Sequence, residues 1–139
     1  MLKKLLKVRQ KKEKLKPGEI GEELAAKHLK SKGWQIIDRN FQSKFGEIDI
    51  IALEASRNKK TRKKSLTLVF VEVKTRWSKE FGSPEEAITP WKIQRMTKAA
   101  HYYKILHPQL PDSLRLDAVV IDMTLESPES IRVICNITQ

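Results

Sequence analysis

Two short stretches place acidic residues where buried strand would otherwise be read. In GEIDIIA, Gly46 to Ala52, the aspartate Asp49 interrupts an apolar run, and LVFVEVK, Leu68 to Lys74, closes on Glu72 and Lys74. A carboxylate buried without a partner is costly, so such residues are paired, bound to a cation or not truly buried. Side chains alternate along a strand, so Glu72 and Lys74 share one face while Val71 and Val73 take the other. If the two stretches form an antiparallel hairpin with Asp49 opposite Glu72, the loop spans roughly Glu54 to Ser65 and cross-strand Cβ atoms lie about 5 Å apart. Two carboxylates that close repel unless a cation sits between them. Oxygen ligands without nearby Cys or His suit a hard ion, Mg2+ or Mn2+, completed by backbone carbonyls and water. The competing reading is a cross-strand salt-bridge cluster on a solvent-facing sheet. Glu47 shares the face of Asp49 but reads as solvated at the strand entry.

Several elements must position these groups. Pro17 and Gly18 open a helix that Gly33 stops. On a wheel of 100° per residue, Glu22 falls among Ala25, Ala26 and Leu29, the side that faces a sheet, whereas Glu23 falls beside Lys27 and Lys30, where it makes a surface pair. An inward Glu22 reaches a metal directly, through water or through Lys74. Trp34–Phe41, Gly46–Leu53 and Leu66–Lys74 read as strands, the last two forming the hairpin. Thr89 caps, and Pro90 opens, a helix running to about His107. Arg115–Met123 reads as a buried strand and Ile131–Ile137 as a final one, after a turn at Pro128. This order predicts an α/β fold, a central mixed sheet flanked by helices.

The totals narrow the partners. A chain of 139 residues suits one domain, and a net charge of +11 attracts polyanions, nucleic acid first. Half of the 28 basic residues lie in two places, MLKKLLKVRQKKEKLK (1–16) and RNKKTRKK (57–64). The first reads as a basic arm preceding a domain over residues 17–139, the second as a solvated loop held open by like-charge repulsion. A basic amphipathic arm also suits a membrane surface, but two basic segments in one chain favour phosphates. The single cysteine, Cys135, permits no internal disulfide. No apolar run spans a bilayer and no signal peptide is evident, so a cytoplasmic protein is expected.

The helix glutamate, the aspartate of GEID and the E-x-K ending the third strand resemble the PD-(D/E)xK nuclease superfamily, whose core order is helix, three strands, helix, strand. More closely, GEELAAKHL, RNF, GEIDIIA, LVFVEVKTR, FGSP, a helix with a late AAHYY, and RLDAVVI resemble in order the uncharacterised bacterial YraN-like family, related to archaeal Holliday-junction resolvases. The resemblance covers about Pro17 to Asp122. It implies a restriction-endonuclease-like fold and metal ligation by Asp49, Glu72 and the carbonyl of Val73. Lys74 would orient or deprotonate the attacking water or offset charge on the phosphate, and Glu22 would match the helix glutamate of the resolvase-like branch. Ile48 stands where the superfamily has a proline, which supplies no ligand. Resolvase relatives are dimeric, so a homodimer is an open arrangement, though no residue here specifies its face.

The function expected is hydrolysis of DNA phosphodiesters, in branched or damaged forms; the alternative is a DNA- or RNA-binding protein that keeps the fold and cuts nothing. Arg76 with Trp77, and Lys92 with Arg95, are candidate phosphate and base contacts, against a bland reading as surface residues. Trp34, Trp91, Tyr102 and Tyr103 read as packing residues, and Asp117 as a partner of Arg115.

Overall fold

Helix α1, Pro17–Ser31, ends where its glycine allows. Gly33 takes φ +89°, a left-handed conformation that costs glycine nothing. Its N–H donates to Lys30 and that of Trp34 to Leu29, satisfying the last carbonyls of the helix. The computed structural model describes residues 17–77, 86, 88–123 and 128–138. The basic arm and the FGSP block at 81–84 therefore lie outside the described residues.

Strands β1 (Gln35–Ser43), β2 (Gly46–Arg57) and β3 (Lys64–Arg76) form an antiparallel meander. Helix α2, Pro90–Leu106, then carries the chain back so that β4 (Leu114–Met123) pairs parallel to β3, the crossover that parallel neighbours require. Strand β5, Pro128–Ile134, closes an antiparallel edge. The sheet is five-stranded and mixed, in the order β1-β2-β3-β4-β5, the restriction-endonuclease-like arrangement expected.

Helix α1 packs Ala25, Ala26 and Leu29 against Ile50, Val69, Val71 and Val119 on one face. On the other, α2 packs Met96, Ala99, Ala100 and Tyr103 against Ile51, Phe70 and Ala118. A strand covered on both faces reads as continuously apolar, which explains DAVVI within β4.

Three expectations need correction. Strands β2 and β3 stay paired out to Arg57 and Lys64, so the connection is shorter than Glu54 to Ser65. Nor is it merely held open by repulsion. Asn58 Oδ1 accepts from the N–H groups of Lys60 and Thr61, and Arg62 donates to the Asn58 carbonyl at 2.8 Å, so a local turn outweighs charges that water already screens. Pro128 pairs with Met123 rather than preceding the strand as a turn; on an edge strand its missing N–H is tolerated. Among the described residues, no helix is long and apolar enough to cross a membrane.

Candidate functional site

The last pair in the β2–β3 ladder is Ile50 with Val71, and one step further puts Asp49 level with Glu72, the register the hairpin predicted. Here β2 leaves β3. The ladder position passes from backbone to side chain: Val73 N–H donates to Asp49 Oδ2 at 2.8 Å. In a strand the N–H and C=O of one residue point the same way, so the Val73 carbonyl also looks toward Asp49. Burial, then Glu72, pushes the Asp49 carboxyl up to about 6. Glu72 is raised too, chiefly by burial and against the pull of Lys92 and Lys74.

Glu22 reaches the pair from the α1 face. The helix can approach because residue 21 is glycine: a Cβ there would collide with Thr75 Oγ1. From β1, Asn40 sits at φ +55°. With its side-chain nitrogen turned toward the helix, Asn40 donates to Glu22 Oε2 at 2.9 Å and Oε1 at 3.3 Å. The Glu22 carboxyl is nevertheless raised, by burial first and Asp49 second. Sequence reasoning missed Asn40; its signal was that asparagine enters left-handed backbone more readily than most residues. Glu23 is drawn not mainly to Lys27 or Lys30 but to Arg39, at 3.0 Å.

Helix α2 lines the opposite side. Thr89 Oγ1 accepts from Lys92 N–H, as the capping reading expected. Lys92 Nζ lies 4.0 Å from Glu72 Oε1, longer than a charge-assisted hydrogen bond, which fits a carboxyl that burial still holds above its ordinary range. Arg95 lies 5.0 Å over the Trp91 ring. Trp34 and Tyr103 are buried as expected, but Trp91 is 63% exposed and is no packing residue. It sits in the first turn of α2, where the helix overhangs the cleft rather than the core.

Asp49 and Glu72 border two clefts at once. One, about 300 Å³, is walled by Glu47, Trp91, Lys92 and Arg95; the other, about 330 Å³, by Glu22, Val73, Lys74 and Trp77. Glu47, though exposed, lines the first. Arg76 is held by Asp122, its Nε and Nη2 each 2.9 Å from Oδ1. Among the described residues no three His, Cys, Asp or Glu side chains converge as a ready metal cage. An ion here would rest on Asp49, Glu72, the Val73 carbonyl and water, an all-oxygen set that fits Mg2+ or Mn2+.

A second carboxylate cluster behaves as the sequence suggested. Arg115 donates two bonds of 2.8 Å to Asp117 and one to Glu54, and Asn136 N–H donates to Asp117. A cleft of about 560 Å³ beside Arg115 shares no residue with the other two.

Comparison with known proteins shows the family of the chain. Residues 21–121 match the model of a family described as "Uncharacterised protein family UPF0102". A UPF0102 protein of Syntrophomonas wolfei is 45% identical over 101 residues, covering 73% of this chain and 79% of the relative. One from Clostridium botulinum is 40% identical over 126 residues, covering 88% and 93%. A third, from Geobacter sulfurreducens, is 39% identical over 116 residues, covering 84% and 81%.

Proposed function

The chain belongs to the UPF0102 family, and we propose that it is a metal-dependent nuclease hydrolysing DNA phosphodiester bonds. The observation that carries this reading is the meeting of Asp49 and Glu72 where β2 leaves β3. Two partly buried carboxylates face one another, both held above their ordinary range although Lys92 stands 4.0 Å from Glu72. A tight structural ion pair would have favoured the charged forms and drawn both down.

Asp49, Glu72 and the Val73 carbonyl would hold Mg2+ or Mn2+. When bound, such an ion polarises the phosphodiester, lowers the pKa of bound water and offsets charge in an in-line displacement. Asp49 is fixed for this by the Val73 N–H. Lys74, on the wall of the same cleft, orients the attacking water and offsets charge on the phosphate. Glu22, held by Asn40, adds a third carboxylate from α1. Lys92 and Arg95 stand where a phosphate backbone would pass, and the +11 net charge draws DNA in. Arg76, tied to Asp122, is a poorer phosphate contact than these two.

The test is a panel of linear, flapped, gapped and four-way DNAs incubated with Mn2+. Wild-type protein is expected to nick at least one. Asp49→Ala should abolish cutting and Lys74→Ala should lower it about 100-fold or more, with DNA binding retained in both. Cutting undiminished in both variants would mark a contaminating nuclease and sink the proposal; binding without any cutting would make the chain a nucleic-acid-binding protein on a nuclease fold.

A further inference from the structure

Among the described residues, Trp77 and Trp91 belong to neither hydrophobic cluster of the core. They are 50% and 63% exposed, against 7% for Trp34. A lone exposed hydrophobic residue is ordinary; what sets these two apart is where they stand. Each of these two lines one of the clefts that meet at Asp49 and Glu72, Trp91 on the α2 side and Trp77 on the α1 side. The carboxylates form the divide between the clefts, so a phosphate lying over them would have one exposed tryptophan on either hand. Cations accompany both: Lys92 and Arg95 flank Trp91, and Lys74 shares a cleft with Trp77. Arg95 stands 5.0 Å over one side of the Trp91 ring, so a base would stack on the other.

In a continuous duplex every base face is covered by its neighbours, so an indole can stack only on a base that has left the stack. The clefts, at about 300 and 330 Å³, lie at the low end of ligand-pocket size. That scale accommodates a splayed nucleotide on each side better than a helix. We propose that the strand to be cut crosses this site unstacked, one nucleobase on Trp91 and one on Trp77 to either side of the scissile phosphate. The inference rests on the nuclease reading and gives it a substrate class: DNA with unpaired nucleotides at the cut, in preference to continuous duplex.

The test measures binding of the full chain, in EDTA so that nothing is cut, to a labelled continuous duplex and to the same duplex with a short single-stranded gap. The gapped DNA should bind more tightly. Trp91→Ala and Trp77→Ala should each weaken gap binding by about fivefold to a hundredfold and change duplex binding less than twofold, with Trp91→Phe recovering most of the loss. Variants that weaken both DNAs equally, or neither, overturn the proposal. The nuclease reading fails separately: wild-type cutting in Mn2+ alongside indifferent tryptophan variants refutes only the stacking, whereas a tryptophan-dependent gap preference without cutting refutes only the hydrolysis.

Discussion

Asp117 and Asp49 both lie in central strands, and each accepts a backbone N–H, from Asn136 and Val73. Around Asp117 the rest of the demand is met: Arg115 grips both carboxylate oxygens and still reaches Glu54. Around Asp49 it is not. Among the described residues the next groups are another carboxylate, Glu72, and Lys92, which lies 4.0 Å from Glu72. An acid in a sheet is therefore not itself a sign of chemistry. The sign is whether the fold supplies its counter-charge or leaves that to something from outside.

Substitutions can break this comparison. The largest effect is expected for Arg115→Ala, which strands a fully buried carboxylate and should cost about 3–5 kcal/mol in urea unfolding. Asp49→Asn should act in the opposite direction. Because folding raises the Asp49 pKa from 3.8 to about 6, the folded state binds the extra proton between those values. Stability from this group accordingly falls as pH rises from about 4 to 6 and stays flat above. In EDTA the asparagine variant should be the more stable by about 1–3 kcal/mol at pH 7, and the Mn2+-induced rise in Tm should vanish with it. A loss of stability in both variants would make the two clusters alike and remove the basis of the distinction.

Gly21→Ala moves the wall of the site without touching its charges. Overpacking against Thr75 costs about 1–3 kcal/mol, helix propensity returns up to about 1, and Thr75→Ala should relieve the remainder in a double-mutant cycle. An additive double mutant would mean that α1 does not depend on that close approach. Smallest is Lys92→Ala. Its partner is distant and its side chain 39% exposed, so apo stability should drop by no more than about 1 kcal/mol, and less in high salt. A larger loss would show that Glu72 has a counter-ion after all.

Much of this was legible in the residues. Start and stop residues located both helices, Pro17–Gly18 with Gly33 for α1 and Thr89–Pro90 for α2, and the hairpin register matches the one supposed by setting two odd acids opposite each other. Arg115 beside Asp117, two apart on one strand, announced its own pairing. What stayed hidden has common causes. Strands β2 and β3 run on into Ser, Arg and Lys because backbone pairing continues after apolar burial has ended, and hydropathy reports only the latter. Trp91 reads as core by composition; its exposure follows from the overhang of one helix turn, a tertiary fact. Asn40 and Lys92 meet the site across sheet and helix, from positions with no local pattern linking them to Glu22 or Glu72.

The hairpin carries one more consequence. From Asp49 to Arg57 along β2 is eight residues, or about 26 Å at 3.3 Å per residue. The strand ends and the turn between them bear the six basic side chains of residues 57–64. At 3.4 Å per base pair, that distance equals about eight base pairs of duplex. On the proposed nuclease function, the length of β2 would act as a ruler, setting how far from the point of attack a double-stranded arm first meets the basic tip.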